Sequence, residues 1–389
     1  MNQLITKLVT KVYQQYFPYL LAGISIPRYY LRNHRQGELE AVVKGFSDHS
    51  SLETRCPKET LSRLLFAYNL AKKDQVSVNR LYKPGAYWQW LLDSRFELPA
   101  QVTTGDRLNE VRMMLENFNR LSCSYDACGG GYFYDRMKHI PGYKYQFANN
   151  WENRLHALLD YLPDPPNFDL PSIGNPVGVW YHNQTIPLCS LEYYCYATEI
   201  YHLLADSNSP TICEIGGGVG GQAYEIIRKG IPGLVYIILD IPEVLLLSSY
   251  YLMVAFPDKQ FQLYGETYTG QEIRLLPNFT LPSLSAESVD LFFNSCSFSE
   301  MDYFTVVEYL TQIERIGSKY LMHINHNAKL VWWEGGKKTT NMTSDLVQPK
   351  NYKLVYKEPR KFTLFEDTFV INWFFKAKYY KYLYGKDQC

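Results

Sequence analysis

Hydrophobic and polar positions change their spacing partway along the chain. In the first third, apolar residues recur at helical intervals, as in KETLSRLLFAYNLAKK (58–73) and GDRLNEVRMMLENFNRL (105–121). Such spacing predicts amphipathic helices. The N-terminus shows the same spacing at Leu4, Ile5, Leu8, Val9, Val12 and Tyr16. We therefore expect residues 1 to about 120 to be mostly helical.

Two stretches interrupt this pattern. DACGGGYFYDRMKHIPGYKYQF (126–147) contains three consecutive glycines and many aromatics, which predicts a loop or irregular lid, with a surface connector as an equal alternative. LPDPPNFDLPSIGNP (162–176) is rich in proline and predicts a hinge. A chain of 389 residues also exceeds the roughly 250–300 at which one core stops growing. We expect a mainly helical N-terminal or lid domain over 1–165 and a second domain over 166–389.

From residue 211 onward, short apolar runs alternate with helical patterns. The predicted strands are TICEIG (211–216), LVYIILD (234–240), FQLYG (261–265), VDLFFNS (289–295) and KYLMHIN (319–325). Continuously apolar strands are typical of a parallel sheet that helices cover on both faces.

The end of the chain predicts a change of direction. NYKLVYKEP (351–359) and DTFVINWFFK (367–376) are close enough to pair as an antiparallel hairpin, followed by a packed tail. The fold class predicted is α/β, a Rossmann-like doubly wound sheet of seven strands whose last strands are antiparallel.

The stretch TICEIGGGVGGQAYEIIRKG (211–230) places five glycines between a strand and a helix. Gly216, Gly218 and Gly221 fit G-x-G-x-x-G, whereas Gly216, Gly218 and Gly220 fit G-x-G-x-G. Such a turn can hold a dinucleotide pyrophosphate or the amino-acid end of S-adenosylmethionine. The glycines alone do not decide between these ligands.

Two acidic residues and the predicted hairpin favour S-adenosylmethionine as the cofactor. Glu214 lies two residues before Gly216, where a carboxylate favours an ammonium group and repels a pyrophosphate. Asp240 ends the second strand and can accept hydrogen bonds from ribose hydroxyls, which both ligands possess. A dinucleotide fold would continue with a second parallel half instead of a hairpin.

Four stretches resemble, in this order, a bacterial family of sugar O-methyltransferases. They are SIGNPVGVWYHNQTIPLCSLEYYCYATEIYHLL (172–204), CEIGGGVGGQAYEI (213–226), YIILDIPEVLLLSSYYL (236–252) and VDLFFNSCSFSEMD (289–302). The resemblance spans roughly residues 170–330 and implies a class I methyltransferase fold. It implies O-methylation of a sugar or small natural-product hydroxyl. The first 120 residues carry no motif of the family.

A sugar hydroxyl is weakly acidic, so a general base would accelerate its methylation by about 10²–10⁴-fold. In an open α/β sheet the site lies beyond the carboxyl ends of the strands. His326, at the exit of the fifth strand, is the leading candidate base, and His323 is deeper in that strand. Glu300 follows the fourth strand; its structural alternative is a helix start at which Ser299 and Asp302 form a capping box.

Other polar residues are predicted to contact ligands. Asn294 and Ser295 end the fourth strand and are expected near the cofactor. Tyr181 and His182, in WYHNQT, are expected to contact the acceptor. The 34 tyrosines, 20 phenylalanines and 7 tryptophans could also offer stacking surfaces for a sugar ring.

The charge balance and the spacing of the cysteines indicate which kinds of partner and ligand are not expected. Lys plus Arg equals Asp plus Glu at 39 each, which argues against nucleic acid as a partner. The eight cysteines include no C-x-x-C and no carboxylate cluster has ligand spacing, so no metal site is predicted; Cys213 and Cys296 are predicted to be buried thiols. No apolar run reaches the roughly 18 residues of a membrane span, and no secretory signal is evident.

We therefore expect a cytoplasmic enzyme with a small-molecule or glycan acceptor and no membrane partner, and a homodimer stays open. Three alternatives remain: an N-methyltransferase of a small molecule, a nicotinamide-dependent oxidoreductase, and a binding protein that retains a methyltransferase fold without activity.

Overall fold

The computed structural model describes residues 36–387, apart from 51–54, 97–105, 126, 128, 141, 163–165, 335–336 and 361–377. The predicted helix over residues 4–16 and the predicted strand DTFVINWFFK lie outside the described residues.

The described chain begins with helices and continues as alternating strands and helices. The α-helices are α1 (Gln36–Gly45), α2 (Lys58–Gln75), α3 (Ala86–Arg95), α4 (Asp106–Glu116), α5 (Gly131–His139), α6 (Tyr143–Tyr161), α7 (Ser190–Leu203), α8 (Gly221–Ile227), α9 (Pro242–Ala255) and α10 (Tyr303–Ile316). The strands are β1 (Val179–Tyr181), β2 (Gln184–Ile186), β3 (Thr211–Ile215), β4 (Val235–Asp240), β5 (Phe261–Leu263), β6 (Ile273–Pro277), β7 (Leu291–Ser295), β8 (Tyr320–His326), β9 (Val331–Glu334), β10 (Lys337–Thr340), β11 (Tyr352–Pro359) and β12 (Tyr379–Lys386).

The central sheet has eight strands in the order β11-β12-β8-β7-β3-β4-β6-β5. Strands β3 to β8 are parallel to one another, and β12 runs antiparallel to both of its neighbours, β8 and β11. This topology confirms the predicted Rossmann-like α/β fold with an antiparallel strand at the end of the chain.

The predicted count of seven strands is wrong, because β6 was missed. It lies between β4 and the edge strand β5. Its sequence IRLLP has no alternating or fully apolar pattern, since Arg274 interrupts it and Pro277 ends it. The Arg274 side chain is accommodated by donating to Gln262 Oε1 on β5 at 2.7 Å.

The predicted partner of β11, DTFVINWFFK, lies outside the described residues, and within them β11 has a partner that was not predicted. β11 pairs with β12, formed by YYKYLYGK, which had been predicted as the packed tail. The lysines obscured the strand pattern. Lys381 is nevertheless buried in the sheet, because its ammonium contacts Glu199 at 2.5 Å and Glu358 at 2.6 Å.

The N-terminal helices pack directly against the sheet layer. Leu61 and Leu64 of α2 belong to the same hydrophobic core as Ile212 of β3 and Val244 of α9. The division into domains 1–165 and 166–389 stays a prediction. In the described part of the chain, no helix combines the length and apolar character needed to cross a membrane.

The segment 126–147 is not an irregular loop where the structure describes it, because α5 and the start of α6 lie there. Its glycines allow close packing instead. A Cβ on Gly130 would lie 2.4 Å from Val177 Cγ2, and one on Gly131 would lie 2.0 Å from the Leu121 carbonyl oxygen. The aromatic residues that follow therefore sit on a helix.

Candidate functional site

The carboxyl ends of β3, β4, β6 and β7 open into one cleft, which N-terminal residues close from the other side. The described residues that line it are Lys83, Pro84, Gly85, Trp88, Ala127, Gly129, Tyr132, Phe133, Cys189, Tyr193, Glu214, Ile215, Gly216, Gly217, Gly218, Gln222, Leu239, Asp240, Ile241, Asn278, Ser295, Cys296, Ser297, Glu300, Met301, Asp302, Thr305, Tyr309 and Tyr379. We call the part formed by 214–222, 239–241 and 278 the glycine half, and the part formed by 83–88, 295–305 and 379 the outer half.

The glycine turn after β3 requires glycine at specific positions. Gly216, Gly218 and Gly220 have φ angles of 76°, 55° and 89°, a region that side chains disfavour. A Cβ on Gly218 would lie 2.6 Å from the carbonyl oxygen of Ala127, which accepts a hydrogen bond from Val219 N at 2.9 Å. Ala127, which precedes α5, therefore lies directly against the turn. Gly220 caps α8 and is not among the lining residues.

Glu214 lies buried against the glycine turn. Its Oε2 accepts a hydrogen bond from Tyr236 Oη at 2.9 Å, and a Cβ on Gly217 would lie 3.3 Å from the same oxygen. Burial raises the pKa of Glu214 to about 8 despite this hydrogen bond. A cation at the turn would favour the ionised form of this carboxyl, and an anion would favour the protonated form.

Asp240, at the end of β4, also lies against the turn. Its Oδ2 accepts from Gly218 N at 3.2 Å and its Oδ1 accepts from Ile241 N at 2.8 Å, which fixes the orientation of the carboxylate. Burial raises the pKa of Asp240 to about 7, against the opposing effect of these backbone donors.

Two buried amides of the glycine half were not predicted. Asn278 donates to the Tyr82 carbonyl oxygen at 3.0 Å, and among the described residues its Oδ1 has no hydrogen-bond partner. Gln222 donates to the Tyr193 carbonyl oxygen at 3.2 Å, and its Oε1 is likewise without a partner in the described chain. Gln222 directly follows the last glycine of the turn, so the sequence could have indicated that it belongs to the site. Asn278 could not have been predicted in this way, because it follows β6, which was missed.

Asn294 supports the turn from behind. It is buried, and its Nδ2 donates to the Ile215 carbonyl oxygen at 2.8 Å and to Ser297 Oγ at 2.5 Å. It is not among the lining residues, whereas the neighbouring Ser295 is. Asn294 therefore lies near the predicted cofactor site without facing it.

The outer half begins after β7. Cys296 is half-buried, has a φ of 70°, and its sulfur accepts a hydrogen bond from Arg360 Nη1 at 3.5 Å. The prediction that Cys296 is a buried strand thiol is therefore wrong, because the chain turns out of the sheet at this residue. Cys213, in contrast, is buried in β3 as predicted.

Glu300 lines the outer half. Its Oε2 accepts a hydrogen bond from Trp88 Nε1 at 3.2 Å. The predicted capping box of Ser299 and Asp302 is wrong. Asp302 itself caps α10, because its carboxylate accepts a hydrogen bond from Phe304 N at 3.0 Å. Ser299 instead donates to the Cys296 carbonyl oxygen at 2.7 Å. Glu300 thus precedes the helix and lies at the cleft.

Neither candidate histidine lines the cleft. His326 accepts from Ala328 N at 3.2 Å and packs edge-on against Tyr379, with ring centroids 5.4 Å apart. His323 lies inside the sheet, stacked on Tyr382 at 4.6 Å. Burial lowers the pKa of His326 to about 4 and that of His323 to about 3. Both rings are therefore neutral at pH 7, and only His326 contacts a residue of the cleft wall.

Tyr181 and His182 lie at the tip of the β1–β2 hairpin, away from the lining residues. Their rings stack on each other at 4.2 Å, and Tyr181 also packs against Trp151. His182 has a φ of 47°, as the tight turn requires. The structure does not bring them to the cleft. Among the described residues, no group of three His, Cys, Asp or Glu side chains could hold a metal ion.

No family model and no curated protein matches the chain. Among solved structures, the chain is similar to 1,6-didemethyltoxoflavin-N1-methyltransferase from Burkholderia thailandensis with bound 1,6-didemethyltoxoflavin and S-adenosylhomocysteine, at 12% identity and a TM-score of 0.33, over 50% of this chain and 79% of that one. It is similar to magnesium protoporphyrin IX methyltransferase from Synechocystis PCC 6803 with bound SAM, at 11% identity and a TM-score of 0.32, over 50% and 80%.

A third similar structure is the [4+2]-cyclase SpnF, at 10% identity and a TM-score of 0.35, over 50% of this chain and 81% of that one. With TM-scores below 0.5, these similarities do not decide what this chain binds or which reaction it catalyses.

Proposed function

We propose that the chain is an S-adenosylmethionine-dependent methyltransferase that methylates a hydroxyl group of a sugar or other small molecule. The observation that carries the proposal is that Glu214 and Asp240 both lie against a turn built from left-handed glycines, Glu214 beside Gly217 and Asp240 accepting from Gly218 N. A cationic amino acid and a ribose, joined in one ligand, match these two carboxylates.

The described residues of the glycine half fit this cofactor. Asp240 would accept from the ribose hydroxyls, since its orientation is fixed by two backbone donors. Glu214 would stabilise the ammonium group of the methionine part through its charge, and the unpartnered Oε1 of Gln222 would accept one of its protons. The unpartnered Oδ1 of Asn278 would accept from the adenine amino group. A buried polar atom without a partner is costly, so a ligand that satisfies it is favoured.

When bound, this cofactor supplies a methyl group on a positively charged sulfur. Glu300 is the carboxylate that we propose as the base: it receives the hydroxyl proton while the acceptor oxygen forms its bond to the methyl carbon and the carbon–sulfur bond breaks. Trp88 holds this carboxylate in place through its indole N–H. The candidate base therefore moves from His326, which lies outside the cleft lining, to Glu300, which lies within it.

The aromatic wall supports a ring-shaped acceptor. Trp88, Tyr132, Phe133, Tyr193 and Tyr379 line the cleft, and aromatic faces bind the apolar faces of sugar rings while excluding water. Exclusion of water strengthens the electrostatic interactions inside the cleft. The sequence resemblance to sugar O-methyltransferases supports the same acceptor class. N-methylation of a small molecule is the alternative within the same cleft.

Ligand-dependent thermal stability tests the cofactor. S-adenosylhomocysteine at about 100 times its Kd should stabilise the folded protein by roughly 2.7 kcal/mol. NADH at equal concentration serves as the matched dinucleotide control. A shift with NADH and none with S-adenosylhomocysteine would establish the oxidoreductase alternative. Binding without incorporation of labelled methyl into any acceptor, across a broad panel of hydroxyl and amine compounds, would favour a binding protein.

A further inference from the structure

We propose that Asn325, a buried asparagine of β8, is a positioning residue that holds Glu300 in a fixed place relative to the glycine turn. Asn325 is not among the described residues that line the cleft, so it acts on the reaction through its neighbours. Because this role presupposes that Glu300 is the base, it rests on the proposed function.

The first link joins Asn325 to the residue before Glu300. Its side-chain Oδ1 accepts a hydrogen bond from Ser299 N at 3.0 Å. Ser299 is buried within the short 3-10 helix Ser297–Glu300, which we call the base segment. On the other side, the Glu300 carboxylate accepts from Trp88 Nε1 at 3.2 Å. Glu300 is thus held through its backbone by Asn325 and through its carboxylate by Trp88.

The second link joins Asn325 to the start of the glycine turn. Asn325 Nδ2 donates to Asn294 Oδ1 at 2.8 Å, and the same oxygen accepts from Phe298 N at 3.4 Å. Asn294 Nδ2 in turn donates to the Ile215 carbonyl oxygen at 2.8 Å and to Ser297 Oγ at 2.5 Å. Two amides on neighbouring strands therefore connect the base segment with the last residue of β3.

The base segment also packs directly against the glycine turn. Ser297 Oγ donates to the Ile215 carbonyl oxygen at 3.1 Å, and a Cβ on Gly216 would lie 2.2 Å from the same hydroxyl. No space remains between the two, so a shift of the base segment changes its distance from the turn. A displacement of about 1 Å in a reacting group can cost about 10²-fold in rate.

Stability of the sheet alone does not account for two buried amides. Replacing both partners of a buried polar pair by apolar groups of the same shape is nearly neutral or even stabilising. Apolar side chains would therefore serve the sheet as well, but they could not bind Ser299 N or the Ile215 carbonyl oxygen. The hydrogen bonds of Asn294 and Asn325 to these backbone groups are what set the distance between the turn and Glu300.

The first experiment needs no acceptor. It follows the indole N–H signal of Trp88 by NMR in the full chain, labelled with ¹⁵N-tryptophan and saturated with S-adenosylhomocysteine; Trp88→Phe assigns the signal. Asn325→Ala should move this signal toward its position in Glu300→Ala, in which the carboxylate is absent. Affinity for S-adenosylhomocysteine, measured by calorimetry, should stay within about threefold, because Asn294 still binds the Ile215 carbonyl oxygen.

The second experiment measures kcat with the best acceptor from the labelled-methyl panel. Asn325→Ala should lower kcat by about 10- to 100-fold. Asn175→Gly is the matched control, because Asn175 is a buried amide that binds Asp48 and Asn117 and is not among the described lining residues. Glycine also tolerates its φ of 56°. This variant should lose thermal stability but keep kcat and the Trp88 signal.

Asn325→Asp is the conservative variant and extends the test if Asn325→Ala does not fold. A protonated carboxyl can donate to Asn294 and accept from Ser299 N as the amide does, whereas an ionised one cannot donate. Burial favours the protonated form, so kcat relative to the wild type at the same pH should be higher at pH 6 than at pH 8. The neighbouring His323 ring adds no charge, because burial lowers its pKa to about 3.

Four results would overturn the inference: an unmoved Trp88 signal in Asn325→Ala, a kcat within threefold of the wild type in that folded variant, an equal loss of kcat in Asn175→Gly, or the same relative kcat of Asn325→Asp at both pH values. A wild-type chain that binds no S-adenosylhomocysteine would instead contradict the proposed function.

Discussion

The two halves of the cleft are built in different ways. The glycine half comes largely from one continuous stretch, residues 214–222, with Asp240 from the next strand and Asn278 from the strand beside it. The outer half comes from stretches far apart in sequence: Lys83–Trp88 before the sheet, residues 295–305 in its middle, and Tyr379 at the start of its last strand. The geometry of the glycine half therefore depends mainly on the local backbone of one motif. The outer half forms only when distant parts of the chain pack together.

The electrostatics of the halves differ as well. In the glycine half, burial raises the pKa values of Glu214 and Asp240 to about 8 and 7, so both carboxyls can exchange protons near neutral pH. In the outer half, Glu300 and Asp302 are only half-buried. Ligand binding in the glycine half should therefore depend on pH, whereas catalysis in the outer half should depend on the Glu300 carboxylate.

Glu300→Gln should have the largest effect. If Glu300 is the base, its loss should lower kcat by about 10²–10⁴-fold, while affinity for S-adenosylhomocysteine stays unchanged because the glycine half is intact. Steady-state kinetics and calorimetry measure the two quantities separately. Glutamine keeps an acceptor for the Trp88 indole, so loss of folding is not expected. A kcat within threefold of the wild type would show that the outer half uses another base or none.

Asp240→Ala should act on the other half alone. Removal of a charged acceptor of the ribose hydroxyls should cost about 1.5–3 kcal/mol, or roughly 10- to 150-fold in affinity for S-adenosylhomocysteine. Asp240→Asn, which keeps one acceptor oxygen, should lie between alanine and the wild type. The measurement is calorimetric, with circular dichroism to confirm folding. Unchanged affinity in a folded Asp240→Ala variant would remove Asp240 from the site.

The pH dependence of binding separates the two cofactor classes. Because the pKa of Asp240 is raised to about 7, its ionised fraction rises from about 0.1 at pH 6 to about 0.9 at pH 8. An ammonium group and ribose hydroxyls favour the ionised carboxyls, so binding releases protons, and the ionisation of Asp240 alone should raise the affinity about tenfold over this range. A pyrophosphate beside Glu214 would favour the protonated form of that carboxyl, so the contribution of Glu214 to the pH dependence would have the opposite sign.

Calorimetry in buffers of different ionisation enthalpy counts the protons directly. The Asp240→Asn variant should lose the part of the pH dependence due to Asp240 and retain the part due to Glu214. Affinity for S-adenosylhomocysteine that is flat or falls between pH 6 and 8 would contradict the assignment of these two carboxyls to the ammonium and the ribose.

His326→Asn should have the smallest effect and tests the base predicted from the sequence. The ring contacts Tyr379 and does not line the cleft, so kcat should change by less than about threefold. His323→Asn is a poor control because that ring is stacked inside the sheet. A loss of about 10²-fold in His326→Asn, together with a functional Glu300→Gln, would restore His326 as the base and place the acceptor behind Tyr379.

The core strands of the sheet and the glycine half of the cleft could be predicted from the amino-acid sequence alone. β3, β4, β7 and β8 are short and mainly apolar, and their positions were predicted within about two residues. The glycine turn was readable because positive φ angles demand glycine at fixed spacing. Strands that contain polar side chains with partners inside the fold could not be predicted from the pattern of apolar residues. Examples are β6, where Arg274 donates to Gln262, and β12, where Lys381 pairs with Glu199.

Which of the residues at the strand ends face the cleft depends on tertiary packing and could not be predicted from the sequence. His326 and Ser295 both end parallel strands at the same edge of the sheet, yet only Ser295 lines the cleft. The difference arises because β12 pairs with β8 and Tyr379 covers the His326 ring. Trp88, which fixes Glu300, lies more than 200 residues earlier in the chain. The spacing of residues along the sequence cannot predict the contact between Trp88 and Glu300, because this contact results from the packing of N-terminal helices against the sheet.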